Sequence, residues 1–317
     1  MHYSGHGLAR YCSLFCVIPL LLGSCGSNDD SLPLSSSLSS DVSSREADRL
    51  LQEAKTYEAA GDKNKAIDRY REISKKHPST KAADTARYSE GKLLDEQGDL
   101  LKAFDAYQDL VINYPGSPHY AAAIARQRDL ALAAVNGVIK NNFLGMKTEI
   151  SPDRTTKMLA NVRDNAPQAP SASEAQYQIG RVWQKNGNAQ KALEGYLRIS
   201  RDYPTSPYAP EAMFQRGQIL IMKAEKGNQN RAHVNQAKDI FEDLIQRYPT
   251  HKRAKDARNS IAKLAGQDTQ RSYDTAEFYR KKGNEASAIF YYKEVIRSAR
   301  SGELHNMAQK RIEELSR

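Results

Sequence analysis

From residue 44 onward, apolar side chains recur three and four residues apart, and charged residues fill most of the positions between them. Such spacing places the apolar side chains on one face of an α-helix. Glycines separate neighbouring helical stretches, because glycine accepts the positive φ that ends a helix. Prolines close several of the stretches, since proline lacks the N–H that a continuing helix needs. The pattern therefore predicts a series of short helical hairpins.

The predicted hairpins share a set of landmark residues. In the first hairpin these are Ala54, Tyr57, Gly61, Ala66, Tyr70, Ile73 and Pro78. At identical offsets the second has Gly91, Leu94, Gly98, Ala103, Tyr107, Leu110 and Pro115, and the fourth has Gly180, Trp183, Gly187, Ala192, Tyr196, Ile199 and Pro204. The last has Ala276, Tyr279, Gly283, Ala288, Tyr292 and Val295. This order of small, aromatic and apolar residues resembles the tetratricopeptide (TPR) repeat.

The TPR resemblance implies an all-α fold, a right-handed α-solenoid of about six TPR-like helical hairpins with a C-terminal capping helix. We expect the TPR solenoid at 45–317, with hairpins at about 45–79, 82–116, 119–168, 171–205, 208–250 and 268–300, a bridging helix at 255–264 and the cap at 303–317. The third hairpin is less regular, because Arg128 replaces the small residue of its first helix. Insertions are expected near 140–154 and 227–232.

The small residue in the first helix of a hairpin has a predicted packing role. Gly91, Gly180 and Gly217 are expected to let the second helix of the same hairpin approach closely. A tyrosine or phenylalanine near the middle of that second helix is expected to fill the gap toward the next hairpin.

Residues 1–24 are typical of a secretory signal peptide, with an apolar run over 14–22 that is too short to span a bilayer. The run ends in Leu22-Gly23-Ser24-Cys25, which resembles the lipobox of bacterial lipoproteins. That resemblance implies that Cys25 becomes the N-terminus and carries N-acyl (palmitate-type) and S-diacylglycerol lipid. Each buried methylene would contribute about 0.8 kcal/mol to membrane attachment. An ordinary signal peptide with a chance cysteine is the alternative.

Residues 25–44 are rich in serine and poor in apolar side chains. This composition predicts a flexible tether between the lipid and the fold. Gly26 follows the cysteine, whereas an aspartate there favours retention in the inner membrane of enterobacteria. The lipoprotein resemblance therefore implies a lipid anchor in the cell outer membrane, with the protein facing the periplasm.

The chain of 317 residues carries 47 Lys and Arg against 38 Asp and Glu, for a formal net charge of +9. These charges are scattered along the helices without a polybasic block, which favours a solvated surface over nucleic-acid binding. The sequence contains no Gly-rich phosphate loop, no His-Glu-x-x-His motif and no cysteine cluster. The histidines lack metal-ligand spacing. We therefore expect a protein that is not an enzyme, with no catalytic residues, no metal and no cofactor besides the lipid on Cys25.

The sixth hairpin carries a more specific motif, since residues 273–283 read Tyr-x-x-Ala-x-Phe-Tyr-x-x-x-Gly. With this motif, the array from about Ser44 to Arg317 resembles the BamD family, TPR lipoproteins of the machinery that assembles β-barrel proteins in the outer membrane. The resemblance implies binding to an integral barrel-inserting protein, to other assembly lipoproteins and to the C-terminal segments of unfolded barrel proteins. BamD proteins usually carry five hairpins, so the third hairpin here is the expected addition.

The first helix of each hairpin lines the concave groove in proteins with this repeat. By that resemblance, the groove positions here are Leu51, Lys55, Tyr88, Lys92, Tyr177, Arg181, Phe214 and Tyr273. Aromatic faces beside cationic ends suit an extended peptide with aromatic side chains and a terminal carboxylate. Two alternatives stay open: the aromatic side chains pack between hairpins, and the lysines belong to a solvated face.

Two other envelope roles also stay open. Coordinators of the Tol–Pal or cell-division type usually carry an N-terminal coiled coil and no lipobox, and residues 26–44 show no heptads. An activator of a peptidoglycan enzyme would use the array as a docking arm. The sequence shows no second domain that would supply an activity of its own.

Overall fold

The computed structural model describes residues 34–143, 146–226 and 230–317 of the chain. The described residues form the helices α1 (Leu34–Ala59), α2 (Lys63–Lys76), α3 (Lys81–Glu96), α4 (Leu100–Asn113), α5 (Tyr120–Val135), α6 (Pro152–Asn165), α7 (Pro170–Lys185), α8 (Ala189–Asp202), α9 (Ala209–Lys226), α10 (Arg231–Arg247), α11 (Lys252–Lys281), α12 (Glu285–Ser298) and α13 (Glu303–Leu315). Two short strands, β1 (Lys140–Phe143) and β2 (Met146–Glu149), lie between α5 and α6.

The helices pack in sequential pairs. The pairs are α1 with α2, α3 with α4, α5 with α6, α7 with α8, α9 with α10, and the second half of α11 with α12. Each pair also contacts the helix that follows it, and α13 packs on α12 as a C-terminal cap. The prediction of an all-α solenoid of TPR-type hairpins is confirmed.

The turn at Gly61 shows how the sequence ends one helix and begins the next. Gly61 has a φ of +78°, in the left-handed region of backbone conformation that residues with a Cβ rarely adopt. Its N–H donates to the carbonyl of Glu58, and the N–H of Asp62 donates to the carbonyl of Tyr57. The Asp62 side chain then accepts from the N–H of Lys65 and caps α2. The turn is therefore defined by local residues.

Close contact between the two helices of a hairpin depends on the small residue predicted from the sequence. A Cβ at Gly180 would lie 2.6 Å from the ring of Tyr196. A Cβ at Gly91 would likewise meet the ring of Tyr107, and a Cβ at Gly217 would meet the ring of Phe241. Tyr196 and Phe241 are fully buried, so the aromatic ring takes the space that a larger residue on the first helix would need. These contacts agree with the predicted role of the small residue, and they show that the aromatic ring lies against the glycine of its own hairpin.

Most of the buried apolar side chains in the described part of the chain fall into four clusters along the solenoid. One core is shared by α1 to α6 and the start of α7. A second joins α7, α8 and α9, and a third joins α9, α10 and the first part of α11. The fourth contains only residues of α11, α12 and α13. The sixth hairpin therefore has a core of its own, connected to the rest of the array through α11.

Helix α1 begins at Leu34, so the prediction of a flexible tether over 25–44 is wrong for residues 34–44. The Oγ of Ser43 lies 2.8 Å from Nδ1 of His77, at the end of α2. Ala47 and Leu50, one turn later, are buried in the first core. Packing of this segment stabilises α1, even though its first turns are rich in serine.

Helix α11 is continuous over 30 residues, whereas the sequence predicted a bridging helix at 255–264 and a separate sixth hairpin from 268. Gly266 lies within it with no other group close to its Cβ position, and no proline interrupts the stretch. A single glycine in a helix costs about 1 kcal/mol, which packing at both ends offsets.

The insertion of the third hairpin contains a β-hairpin, which the all-α prediction did not include. Strands β1 and β2 pair antiparallel, with Lys140 opposite Glu149 and Asn142 opposite Lys147. Helix α6 follows the strand pair and begins at Pro152, with Ser151 as its N-cap residue.

Candidate peptide-binding groove

The cationic side chains predicted to line the groove are accessible. Lys55, Lys92 and Arg181 are all exposed on the first helices of their hairpins. The Nζ of Lys92 lies 3.9 and 3.8 Å from the carboxylates of Glu58 and Glu96, so both contacts are long. Arg181 donates to the neutral amide oxygen of Gln178. Among the described residues, these three cations therefore have no strong carboxylate partner that a peptide would have to displace.

The aromatic side chains of the predicted groove contact the next hairpin as well as their own. Tyr88 stacks on His119, with ring centroids 4.3 Å apart. Tyr177 stacks on Tyr208 of the following hairpin at 5.2 Å. Each ring is half-buried, and burial raises the pKa of Tyr177 to about 12, so its hydroxyl stays neutral. The interpretation that the aromatic side chains pack between hairpins matches these contacts.

The remaining predicted groove residues are also packed. Phe214 lies against Phe241, and the guanidinium of Arg253 covers its ring at 4.6 Å. Tyr273 is only 6% exposed and contacts Tyr292 at 5.6 Å. Leu51 is half-buried against the first core. Tyr273 is therefore a core residue of the sixth hairpin, with almost no surface left for a peptide.

Buried tyrosines of the second helices reach back to polar residues of the first helices. The Tyr70 hydroxyl donates to Glu58 at 2.6 Å, and the Tyr196 hydroxyl donates to Gln184 at 2.6 Å. Tyr292 makes the same kind of bond to Glu277. These bonds hold the carboxylate or amide in place beside the exposed cations. The sequence signal was a polar residue twelve positions before the tyrosine in the first and fourth hairpins.

Ion pairs link the first helices of successive hairpins, which the sequence reasoning missed. Arg126 donates to Asp95 at 2.8 Å, and Arg128 donates to Glu174 at 2.7 Å. One indication of these ion pairs was visible in the sequence, because Arg128 stands where the repeat pattern expects a small residue. These pairs neutralise charge at the junctions between hairpins. Among the predicted groove residues, the exposed cations outside such pairs are Lys55, Lys92 and Arg181.

Other kinds of site are not found among the described residues. No group of three or more His, Cys, Asp or Glu there is placed to hold a metal ion. None of the described helices is long and apolar enough to cross a membrane. The predicted lipidation site, Cys25, and the signal peptide at 1–24 lie outside the described residues.

Comparison with protein families identifies the C-terminal half. Residues 149–308 match the family described as YfiO, outer membrane lipoprotein, and this range is half of the chain. The chain belongs to the YfiO family of outer membrane lipoproteins. Residues 51–118 match a tetratricopeptide repeat family. The resemblance on which the sequence analysis relied is therefore confirmed, and the YfiO match extends from β2 into α13.

Curated relatives of this YfiO-family chain include the outer membrane protein assembly factor BamD of Neisseria gonorrhoeae. The two are 24% identical over 161 residues, covering 46% of this chain and 58% of the relative. BamD of Neisseria meningitidis serogroup A matches with the same identity and coverage. The chain thus spans less than two thirds of the length of the curated relatives it matches.

Solved structures that resemble the chain include MamA of Desulfovibrio magneticus RS-1, at 14% identity and a TM-score of 0.30 over 65% of this chain and 97% of that one. The P58(IPK) TPR domain matches at 16% identity and a TM-score of 0.32, over 84% of this chain and 77% of that one. Such low scores add nothing to the family assignment.

Proposed function

We propose that this chain is a lipid-anchored scaffold of the outer membrane that faces the periplasm and serves the assembly of β-barrel proteins. The observation that carries the proposal is the family match over 149–308, together with relatives named as assembly factor BamD. A TPR array supports such a role because stacked hairpins present an extended surface to other proteins. In this role the chain binds an integral barrel-inserting protein and other assembly lipoproteins.

Cys25 supplies the membrane attachment in this proposal, through N-acyl and S-diacylglycerol lipid. Two or more acyl chains give stable anchoring where one chain binds only reversibly. The sequence of residues 22–25 supports the proposal, and intact-mass measurement of the protein extracted from its host tests it. An unmodified Cys25, or a chain that retains residues 1–24, contradicts the anchor.

The substrate site in this proposal is the stretch of first helices that bears Lys55, Lys92 and Arg181. Their cationic ends pair with the terminal carboxylate of an unfolded barrel protein. The exposed parts of the half-buried Tyr88 and Tyr177 rings contact aromatic side chains of the same peptide. The rings are fixed by their packing, so less side-chain entropy is lost on binding.

A peptide-binding measurement tests the substrate site. The probe is a short synthetic peptide with the C-terminal sequence of an outer-membrane barrel protein, prepared with a free carboxylate and with an amide. We expect the amide to bind more weakly, and the double variant Lys55→Glu/Lys92→Glu to bind the carboxylate form roughly tenfold more weakly. Lys75→Glu, an exposed change on the second helix α2, is the matched control. Equal affinity for all variants and both peptides contradicts the site.

Affinity purification from detergent-solubilised envelopes tests the assembly role itself. Recovery of a barrel-inserting membrane protein, reduced by Cys25→Ala, supports it. Recovery of peptidoglycan enzymes or Tol–Pal components without a barrel inserter supports instead an activator or coordinator role.

A further inference from the structure

At one position of the first helix, the exposure of the side chain depends on whether a preceding hairpin packs against it. This cover position lies two residues after the position of the small residue. In the second, third and fifth hairpins it is Leu93, Leu130 and Ile219, each 1% exposed, and in the fourth it is Val182, which is half-buried against the core of the preceding hairpins. Ile219 belongs to the core that contains α7 and α8 of the preceding hairpin. The first hairpin has no predecessor, and it carries the exposed polar Thr56 at this position.

The sixth hairpin has Phe278 at the cover position, and this side chain is 55% exposed. Continuity of α11 explains the exposure. The first part of α11 occupies the place beside α10, where Ala254 and Ala257 share a core with Phe241. The core of the sixth hairpin includes no side chain of α9 or α10. Phe278 is therefore a large apolar side chain, of the kind that is buried at the equivalent positions, at a junction where no preceding helix covers it.

Phe278 begins a strip of four aromatic side chains that crosses the sixth hairpin. Its ring lies 5.5 Å from Tyr279, which stacks on Tyr291 of α12 at 5.6 Å. Tyr291 contacts Phe290 at 5.3 Å, and Phe290 is 59% exposed. At the position of Phe290, four other second helices carry the exposed acids Asp68, Asp105, Glu194 and Asp239. Contiguous exposed apolar side chains of this kind mark interaction surfaces.

Lysines surround the aromatic strip. Lys281, Lys282 and Lys293 are exposed and form no ion pair with the described carboxylates. The Nζ of Lys282 lies 5.9 Å from the centre of the Phe278 ring. The neighbouring arginines differ, since Arg280 pairs with Glu277 and Arg297 with Glu294. The strip is therefore an apolar surface with a cationic border.

We propose that the strip of Phe278, Tyr279, Tyr291 and Phe290 docks an acidic amphipathic helix of another protein. The occupant is a helix because α-helices cover this position at the other junctions of the same chain. It is acidic because its charge must complement the lysines. A second copy of this chain carries a net charge of +9, so the overall charge of the two copies opposes their association. This docking site is separate from the groove on Lys55, Lys92 and Arg181.

Site-specific photocrosslinking in the host tests the proposal. The full chain carries p-benzoylphenylalanine in place of Phe290 or, as the control, in place of Ile112, which is 63% exposed on α4. We expect an adduct specific to position 290 with one segment of another protein. That segment has a net negative charge and apolar residues three and four apart. Adducts with lipid, adducts with a second copy of the chain, or the absence of a position-specific adduct overturn the proposal.

Binding of the captured segment, synthesised as a peptide, provides the second measurement. We expect Phe278→Ser and Phe290→Ser each to weaken its binding to the full chain roughly tenfold. Lys281→Glu/Lys282→Glu weakens binding and makes it less sensitive to salt. Ile112→Ser leaves it unchanged, as does Lys55→Glu/Lys92→Glu, which separates this site from the groove. Unchanged affinity in the strip variants, with normal circular dichroism, overturns the proposal.

Discussion

Arg253 donates hydrogen bonds to both carboxylate oxygens of Glu211, at 2.7 and 2.8 Å. The pair joins the start of α11 to α9, and both side chains are largely buried. Burial alone would raise the pKa of Glu211, but the bonds from Arg253 hold that pKa below its usual value. The Arg253 guanidinium also lies over the ring of Phe214. Arg253 therefore contacts both the carboxylate of Glu211 and an aromatic side chain at this junction.

Removal of this pair is expected to destabilise the junction. Arg253→Ala should lower the free energy of unfolding by about 1–3 kcal/mol, because it leaves the largely buried carboxylate of Glu211 without its charged partner. Urea denaturation measures the loss, and a cycle with Glu211→Gln gives the coupling. Arg297→Ala is the control, since that pair is exposed and should contribute under about 1 kcal/mol. Equal losses for the two arginines contradict the argument.

Two glycine substitutions are expected to have opposite effects. Gly180→Ala places a Cβ 2.6 Å from the Tyr196 ring and should destabilise the fold by about 1–3 kcal/mol. Gly266→Ala lies in the middle of α11 with nothing within 4 Å, and should stabilise it by about 0.5–1 kcal/mol. Thermal melting followed by circular dichroism compares them. A stable Gly180→Ala protein is inconsistent with the described packing.

Matched substitutions at the cover position separate a core side chain from a docking side chain. Ile219→Ser should cost about 2–5 kcal/mol of stability, because it removes a buried side chain and introduces a hydroxyl. Phe278→Ser should change stability by less than about 1 kcal/mol, because more than half of its surface is already exposed to water. Chemical denaturation measures both. A large loss for Phe278→Ser means that the ring supports the fold.

Acid is expected to weaken the sixth hairpin through Glu277. The hydrogen bond from Arg280 lowers the pKa of Glu277 most; burial opposes it, and Tyr292 and the charge of Arg311 lower it further, to about 2. A carboxyl with a lowered pKa stabilises the folded state fully above its ordinary value of 4.5. That contribution is lost as the pH falls from there toward 2.

Urea denaturation of wild type and Glu277→Gln across this pH range measures the effect. The variant should lose less stability than wild type on acidification, since it has no group to protonate. Parallel pH profiles for the two proteins contradict the assignment.

The turns between the two helices of a hairpin were predictable because local residues determine them. A glycine in the left-handed region at Gly61 and a glycine beneath an aromatic ring at Gly180 are each required by geometry within one hairpin. Both requirements recur at fixed offsets, so the sequence displays them directly. The order of the hairpins and the role of Gly91, Gly180 and Gly217 followed from this periodicity.

Contacts between distant hairpins were not predictable in the same way. The Arg253–Glu211 pair joins residues 42 positions apart, and nothing local in the sequence distinguishes it from other surface charges. The aromatic groove was predicted from position alone, and packing between hairpins decided how much of each ring is exposed. Tyr273 became a core residue for that reason, while Lys55 and Lys92 stayed accessible.

The unbroken α11 fixes the rotational phase between the fifth and sixth hairpins. Its 30 residues form a rod about 45 Å long. Each residue of an α-helix turns its successor by about 100°. One residue inserted after Gly266 therefore turns the aromatic strip by more than a quarter of a circle about the rod, whereas four residues almost restore its direction. The length of this segment, as well as its composition, thus determines where a helix bound to the sixth hairpin lies relative to the groove.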